Sequence, residues 1–267
     1  MPLSQLIVLA IIQGLTEFLP ISSSGHLALV DELTTWADQG VLIDVSIHVG
    51  SLFAVLIYFR KDVIELIGGA FMLLRGEMTE AGRLGLYLVA ASVPIFVVGF
   101  LVVSSGMVDG LRGAATIAWA NMIFALLLFW GDKAGGTART LGEMTWTQAL
   151  IVGVSQIAAI VPGASRSGVT MTAARFLGFD RKEAARFSML LAIPTILGAG
   201  AAATLELAET GNAALQMDAV IAAALSFLAA WLSIAVFMRL LDNISLTPFV
   251  IYRVVLGAAL LGWLYLV

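Results

Sequence analysis

Apolar residues run through this chain in long blocks separated by short polar connections. A helix crossing the hydrocarbon core needs roughly 20 apolar residues. Six blocks meet that length, at about 43–59, 84–103, 113–130, 187–205, 218–240 and 248–267. Two further blocks are broken in the middle. Residues 3–30 carry Gln13 and Glu17 and then break at Pro20-Ile21-Ser22-Ser23-Ser24-Gly25-His26, and residues 147–178 break at Pro162-Gly163-Ala164-Ser165-Arg166-Ser167-Gly168. Each reads as short helix, polar turn, short helix. Irregular backbone at membrane depth survives only where it is buried in protein or faces water, so each is expected to be a re-entrant hairpin. The first block does not read as a signal peptide, because Met1-Pro2-Leu3-Ser4-Gln5 carries no positive side chain and Gln13 and Glu17 interrupt the apolar run. The predicted fold is an all-α polytopic membrane protein, one integral domain over 1–267, with six transmembrane helices plus two re-entrant helical hairpins.

The basic residues orient this path. Connections 60–83 (Arg60, Lys61, Arg75, Arg83), 131–146 (Lys133, Arg139) and 175–186 (Arg175, Arg181, Lys182, Arg186) are basic, whereas 206–217 has no Lys or Arg and 104–112 has Arg112 alone. Placing the basic connections in the cytoplasm makes the first hairpin dip from outside and the second from the cytoplasm. The same unit is then written twice in opposite orientation, a hairpin and three spans over about 1–130 and again over about 147–267. Ser22-Ser23-Ser24-Gly25 matches Ser165-Arg166-Ser167-Gly168, each with a proline upstream and a glutamine (Gln13, Gln156) before that. Inverted repeats of broken helices place their site where the breaks meet, so the two polar turns are expected to face each other.

Composition narrows the class. Only 12% of residues are charged, about half the share of a soluble domain. The balance of 14 Lys and Arg against 18 Asp and Glu defines neither an acidic nor a basic partner and excludes nucleic-acid binding. Cysteine is absent, which removes disulfides, thiolate metal sites and cysteine nucleophiles.

The chemistry concentrates in the two breaks. Gln13 and Glu17 lie four apart on one helix face. A carboxylate at membrane depth is a functional-site hypothesis by default, its plain alternative being a structural acid bonded to a nearby hydroxyl. Ser22, Ser23, Ser24 and Gly25 open the next helix, where free amides and hydroxyls make an anion cradle or simply an N-cap. His26 is suited to acid–base or nucleophilic work. Arg166 needs an anion at that depth, and its planar fork suits phosphate. That anion is a ligand or Glu17. Ser165, Ser167 and Thr170 add hydroxyls around Arg166, and Gly163 and Gly168 let a ligand approach the backbone. Asp44 and His48 share a face of the first span and divide between supporting this site and helix packing. Asp180 with Glu183 reads as a capping box, and Arg253 as a cation that snorkels or pairs near the end of the last span. These residues alone point to a phospholipid-like substrate and to a hydrolase or a carrier.

At these positions the chain resembles a known family. Gln13-Gly14-Leu15-Thr16-Glu17-Phe18-Leu19-Pro20 followed by Ser22-Ser23-Ser24-Gly25-His26 is similar to the first signature of the bacterial undecaprenyl-pyrophosphate phosphatases, the bacitracin-resistance proteins. Pro162-Gly163-Ala164-Ser165-Arg166-Ser167-Gly168-Val169-Thr170 is similar to the second. The resemblance implies hydrolysis of undecaprenyl pyrophosphate to undecaprenyl phosphate at the outer face of the bacterial inner membrane. It implies Glu17 as a catalytic residue and ligand of a divalent cation (Mg²⁺ or Ca²⁺), Ser23 as nucleophile or phosphate ligand, His26 as proton-transfer residue or rival nucleophile, and Arg166 as the pyrophosphate clamp. Direct attack by activated water is equally compatible with the sequence. Around them Gln13, Ser22, Ser24, Gly25, Gly163, Ser165, Ser167, Gly168 and Thr170 would bind phosphate. Relatives often carry Glu where this chain has Gln13, and a neutral amide is the poorer Mg²⁺ ligand. The partners implied are membrane lipids and the lipid substrate, with a homodimer compatible with the reading. The rival reading is a transporter of undecaprenyl phosphate.

Overall fold

A computed structural model describes residues 1–36, 39–106, 109–111, 113–136, 139–209 and 212–266, leaving the side chains of 31–33, 109 and 199–209 undescribed. Arg112, the one residue against the charge pattern, is outside the described set.

The first broken block forms α1 (Leu3–Thr16) and α2 (Ser23–Leu33). The second forms α7 (Trp146–Ser155), a 3-10 turn over Gln156–Ile160 and α8 (Arg166–Phe176). Between them lie α3 (Gly40–Tyr58), α4 (Arg60–Leu74), α5 (Glu80–Ser104) and α6 (Ala114–Ala134). After them come α9 (Arg181–Glu209), α10 (Ala213–Leu240) and α11 (Thr247–Leu266). Among the described residues five helices, α3, α5, α6, α10 and α11, are long and apolar enough to cross a membrane. The block expected at 187–205 falls within α9, whose side chains from 199 onward are outside the description. The chain is therefore an all-α polytopic membrane protein. The basic connection 60–83 contains a helix that the charge count did not reveal: α4 turns Ile64, Ile67, Phe71 and Leu74 outward and packs on α5.

Large apolar side chains such as Phe53, Val89, Phe100 and Val255 face outward, while Gln13, Glu17, Asn121, Arg175 and Arg253 are buried. That distribution suits a bilayer, where lipid tails solvate the outside and polar groups must find partners within the protein. Small residues let the helices approach closely. A Cβ on Gly50 of α3 would lie 2.1 Å from the Ala223 carbonyl oxygen of α10, and one on Gly14 of α1 would lie 2.6 Å from Ala229 Cβ. Gly50→Ala is expected to cost about 1–3 kcal/mol by overpacking, read as a lower melting temperature in detergent. Gly68→Ala on α4 has open space for its methyl group and should not fall.

One end of the bundle is tied by Asp132. Its carboxylate accepts from Arg175 Nε (3.2 Å), Arg181 Nε (2.6 Å) and the Leu246 amide (3.1 Å), which fixes α8, α9 and α11 on α6. The Asp180–Glu183 capping box does not form, although Asp180 still caps the start of α9. Asp180 accepts from the Lys182 amide at 2.8 Å, but Glu183 reaches instead to the Leu141 amide at 2.9 Å.

Candidate active site

The two polar turns share one backbone solution. Ser22 (φ 72°) and Ser165 (φ 71°) are the described non-glycine residues with positive φ. Each hydroxyl accepts the amide three residues on, Gly25 N at 3.3 Å and Gly168 N at 3.1 Å, capping α2 and α8. A left-handed conformation outside glycine costs of order 1–3 kcal/mol and persists where the surroundings impose it. Here the surroundings are the opposite turn. Ser167 Oγ donates to the Leu19 carbonyl at 2.9 Å, and a Cβ on Gly25 would lie 3.5 Å from Gly163 Cα. Gly163 has to be glycine: its φ is +93° and a Cβ would meet the Ile117 carbonyl oxygen at 2.4 Å.

Arg253 joins the two turns. It does not snorkel: it is 0% exposed and donates to Gly163 O and Ala164 O (2.9 Å each), Pro20 O (3.3 Å) and Asn121 Oδ1 (2.7 Å). The sequence places it in the last apolar block, but its partners lie on the two polar turns and on α6.

Where the turns meet, Glu17 is the hub. Its Oε2 accepts from Ser23 Oγ at 2.6 Å and from Gln13 Nε2 at 3.0 Å, and its Oε1 accepts from Arg166 Nη2 at 2.9 Å. Arg166 also donates through Nη1 to the Ser188 carbonyl at 3.0 Å. Thr170 Oγ1 donates to the Arg166 carbonyl and lies 2.7 Å from Ser188 Oγ, tying α8 to α9. A cavity of about 370 Å³ opens over this cluster, walled by Glu17, Ser23, Ser24, Ser165 and Arg166, with Asp44 and His48 from α3. That volume falls in the range of small-ligand sites. His48 Nε2 stands 3.8 Å from Glu17 Oε2, so the face shared by Asp44 and His48 belongs to the site.

His26 is placed elsewhere. Its Nδ1 lies 2.7 Å from the Ser22 carbonyl, so it donates there, and Nε2 accepts from Tyr252 OH at 2.6 Å. Both ring nitrogens are committed, and His26 is not on the cavity wall. Ser22, Gly25, Gly163, Ser167, Gly168 and Thr170 shape the turns behind the wall. Tyr252, Ser188 and Thr195 were missed from the sequence, since hydroxyls in apolar helices carry no local signal of what they face.

The expected divalent cation is not supported. Among the described residues no group of three or more His, Asp or Glu side chains is arranged to hold a metal ion. The physical reason is visible at Glu17, whose two oxygens are engaged by Arg166, Ser23 and Gln13. Charge compensation comes from the guanidinium, and the expectation of Mg²⁺ or Ca²⁺ at Glu17 is withdrawn.

The sequence profile of the family described as bacitracin resistance protein BacA matches residues 6–259. A relative named undecaprenyl-diphosphatase from Dinoroseobacter shibae is 49% identical over 262 residues, 98% of each chain. Relatives of the same name from Maricaulis maris and Hahella chejuensis are 48% and 46% identical, again over 98% of each chain.

Proposed function

We propose that this chain, which belongs to the bacitracin resistance protein BacA family, is an undecaprenyl-diphosphatase. It hydrolyses undecaprenyl diphosphate to the monophosphate and inorganic phosphate, recycling the lipid carrier of cell-wall synthesis and conferring bacitracin resistance. It does so as a multi-pass protein of the bacterial inner membrane. The observation that carries the mechanism is the 2.6 Å hydrogen bond from Ser23 Oγ to a carboxylate whose other oxygen is held by Arg166.

Glu17 takes the Ser23 proton as Oγ attacks the terminal phosphorus. The Oγ–P bond forms, the bond from that phosphorus to the bridging oxygen breaks, and the lipid monophosphate leaves with the electron pair. A neutral Glu17 no longer holds Arg166 as an ion pair, so the guanidinium is released to the phosphate oxygens at the moment they need it. Water then adds to the phosphoserine. The P–Oγ bond breaks, Ser23 recovers its proton from Glu17, which returns to the carboxylate, and both of the water's protons stay on the departing phosphate. Phosphoryl transfer asks mainly for positioning and charge compensation, which this arrangement supplies.

The remaining residues enter as supports. Ser24 and Ser165 line the phosphate cavity at the starts of α2 and α8, whose free amides suit an anion. Gln13 orients Glu17. His26 serves the reaction by fixing the Ser22 turn through its Nδ1 donation. The inverted repeat of two hairpins and six spans is supported by the matching turns and by mirrored packing, α1 on α10 and α7 on α5. An outward-facing site follows from the basic connections lying in the cytoplasm.

The test is phosphate release by the purified full chain in detergent, given a polyprenyl diphosphate. Equal amounts of inorganic phosphate and polyprenyl monophosphate are expected. No release from demonstrably folded protein would refute the hydrolase and leave lipid transport as the reading.

A further inference from the structure

Gln156 stands on the cavity wall at the start of the Gln156–Ile160 turn, 0% exposed, and neither its Oε1 nor its Nε2 has a hydrogen-bond partner. The sequence pairs it with Gln13 across the two hairpins, yet the two differ in use. Gln13 Nε2 is committed to Glu17 at 3.0 Å, whereas both ends of the Gln156 amide are uncommitted. A buried amide with no partner costs stability that an apolar side chain of similar size would avoid. A ligand in the cavity that satisfies both ends removes that cost.

Such a ligand must accept from the N–H and also donate to the amide oxygen. On the cavity wall the charge of Arg166 is already matched by Glu17, and Asp44 adds a second carboxylate, so the lining favours a phosphate that keeps one proton over a fully ionised one. A terminal phosphate that keeps one proton meets both demands: its non-bridging oxygens accept and its P–OH donates. A diphosphate esterified at both ends has no such hydrogen. We infer that Gln156 is a binding and specificity residue for a diphosphate with a free terminal phosphate, Nε2 donating to a non-bridging oxygen and Oε1 accepting the P–OH hydrogen. The inference rests on the reading of this cavity as the diphosphate site.

The test compares the full-length protein with Gln156→Leu in detergent. Melting temperatures are taken with and without inorganic pyrophosphate, and phosphate release is followed with farnesyl diphosphate. Without ligand the variant is expected to melt above the wild type, because the unpartnered amide is gone. Its pyrophosphate dissociation constant and its KM are expected to rise about tenfold or more, with a smaller change in kcat. A lower melting temperature in the variant would make Gln156 a structural residue and overturn the inference. Unchanged pyrophosphate affinity would overturn it too, as would a wild type that ignores pyrophosphate or responds equally to UDP-glucose, whose diphosphate is esterified at both ends. Pyrophosphate binding does not require turnover, so the two readings fail separately. Binding lost in the variant while the wild type hydrolyses nothing sinks the phosphatase alone. Hydrolysis with unchanged affinities sinks the role of Gln156 alone.

Discussion

Glu17→Gln is expected to lower kcat for phosphate release by about 10²–10⁴-fold, the range of general acid–base contributions, while KM stays level or falls. The amide keeps the shape of the carboxylate and can still accept one hydrogen bond from Arg166 or Ser23, which now reach Glu17 at 2.9 and 2.6 Å. It cannot accept the Ser23 proton. It also removes a negative charge from the wall of the cavity proposed to take the diphosphate, and this is why binding should not suffer. The split between kcat and KM separates a proton acceptor from a residue that merely packs. A kcat within a few-fold of the wild type would contradict the assignment.

The largest stability effect is expected at Arg253. The side chain is fully buried and satisfies Pro20 O, Gly163 O, Ala164 O and Asn121 Oδ1 together. Arg253→Met fills much of the same space and leaves those four acceptors without a donor. Each unsatisfied buried polar group costs about 1–3 kcal/mol, so with partial relaxation a loss of about 3–5 kcal/mol is expected. The melting temperature in detergent should fall, and activity should fall with it, because the turns that carry Ser23 and Arg166 lose their common anchor. A melting temperature within about 2 °C of the wild type would show that the turns hold each other without Arg253.

Much of this arrangement is legible in the chain because membrane depth makes polar residues conspicuous. Glu17 and Arg166 stand out against apolar runs, and the requirement that each find a partner already points one at the other, as the 2.9 Å ion pair shows. The broken blocks are legible for the same reason, since Pro-Gly and serine clusters cannot continue a helix facing lipid.

What escapes is the rotation of each helix about its axis. Hydropathy places Arg253 in the last span but does not say that its face meets Asn121, 132 positions away. Asp44 and His48 share a face by spacing, yet only packing against the first hairpin decides that the face lines the cavity. In the sequence His26 reads as a proton carrier or nucleophile alongside Glu17, because it sits among the serines. Tyr252, 226 positions on, takes its second nitrogen. Helix α4 hides in a basic connection because it is too short to span. The metal expectation came from resemblance, and it fails on a matter of geometry that no sequence pattern displays.

The measurement that most directly tests the central claim is rapid quenching of the wild-type enzyme during turnover of a polyprenyl diphosphate, followed by peptide mass analysis for bound phosphate. Phosphate on Ser23, formed and discharged at rates that match turnover and missing from Ser23→Ala along with activity, is the expected result. Steady phosphate release with no phosphorylated serine, continuing in Ser23→Ala, would contradict it.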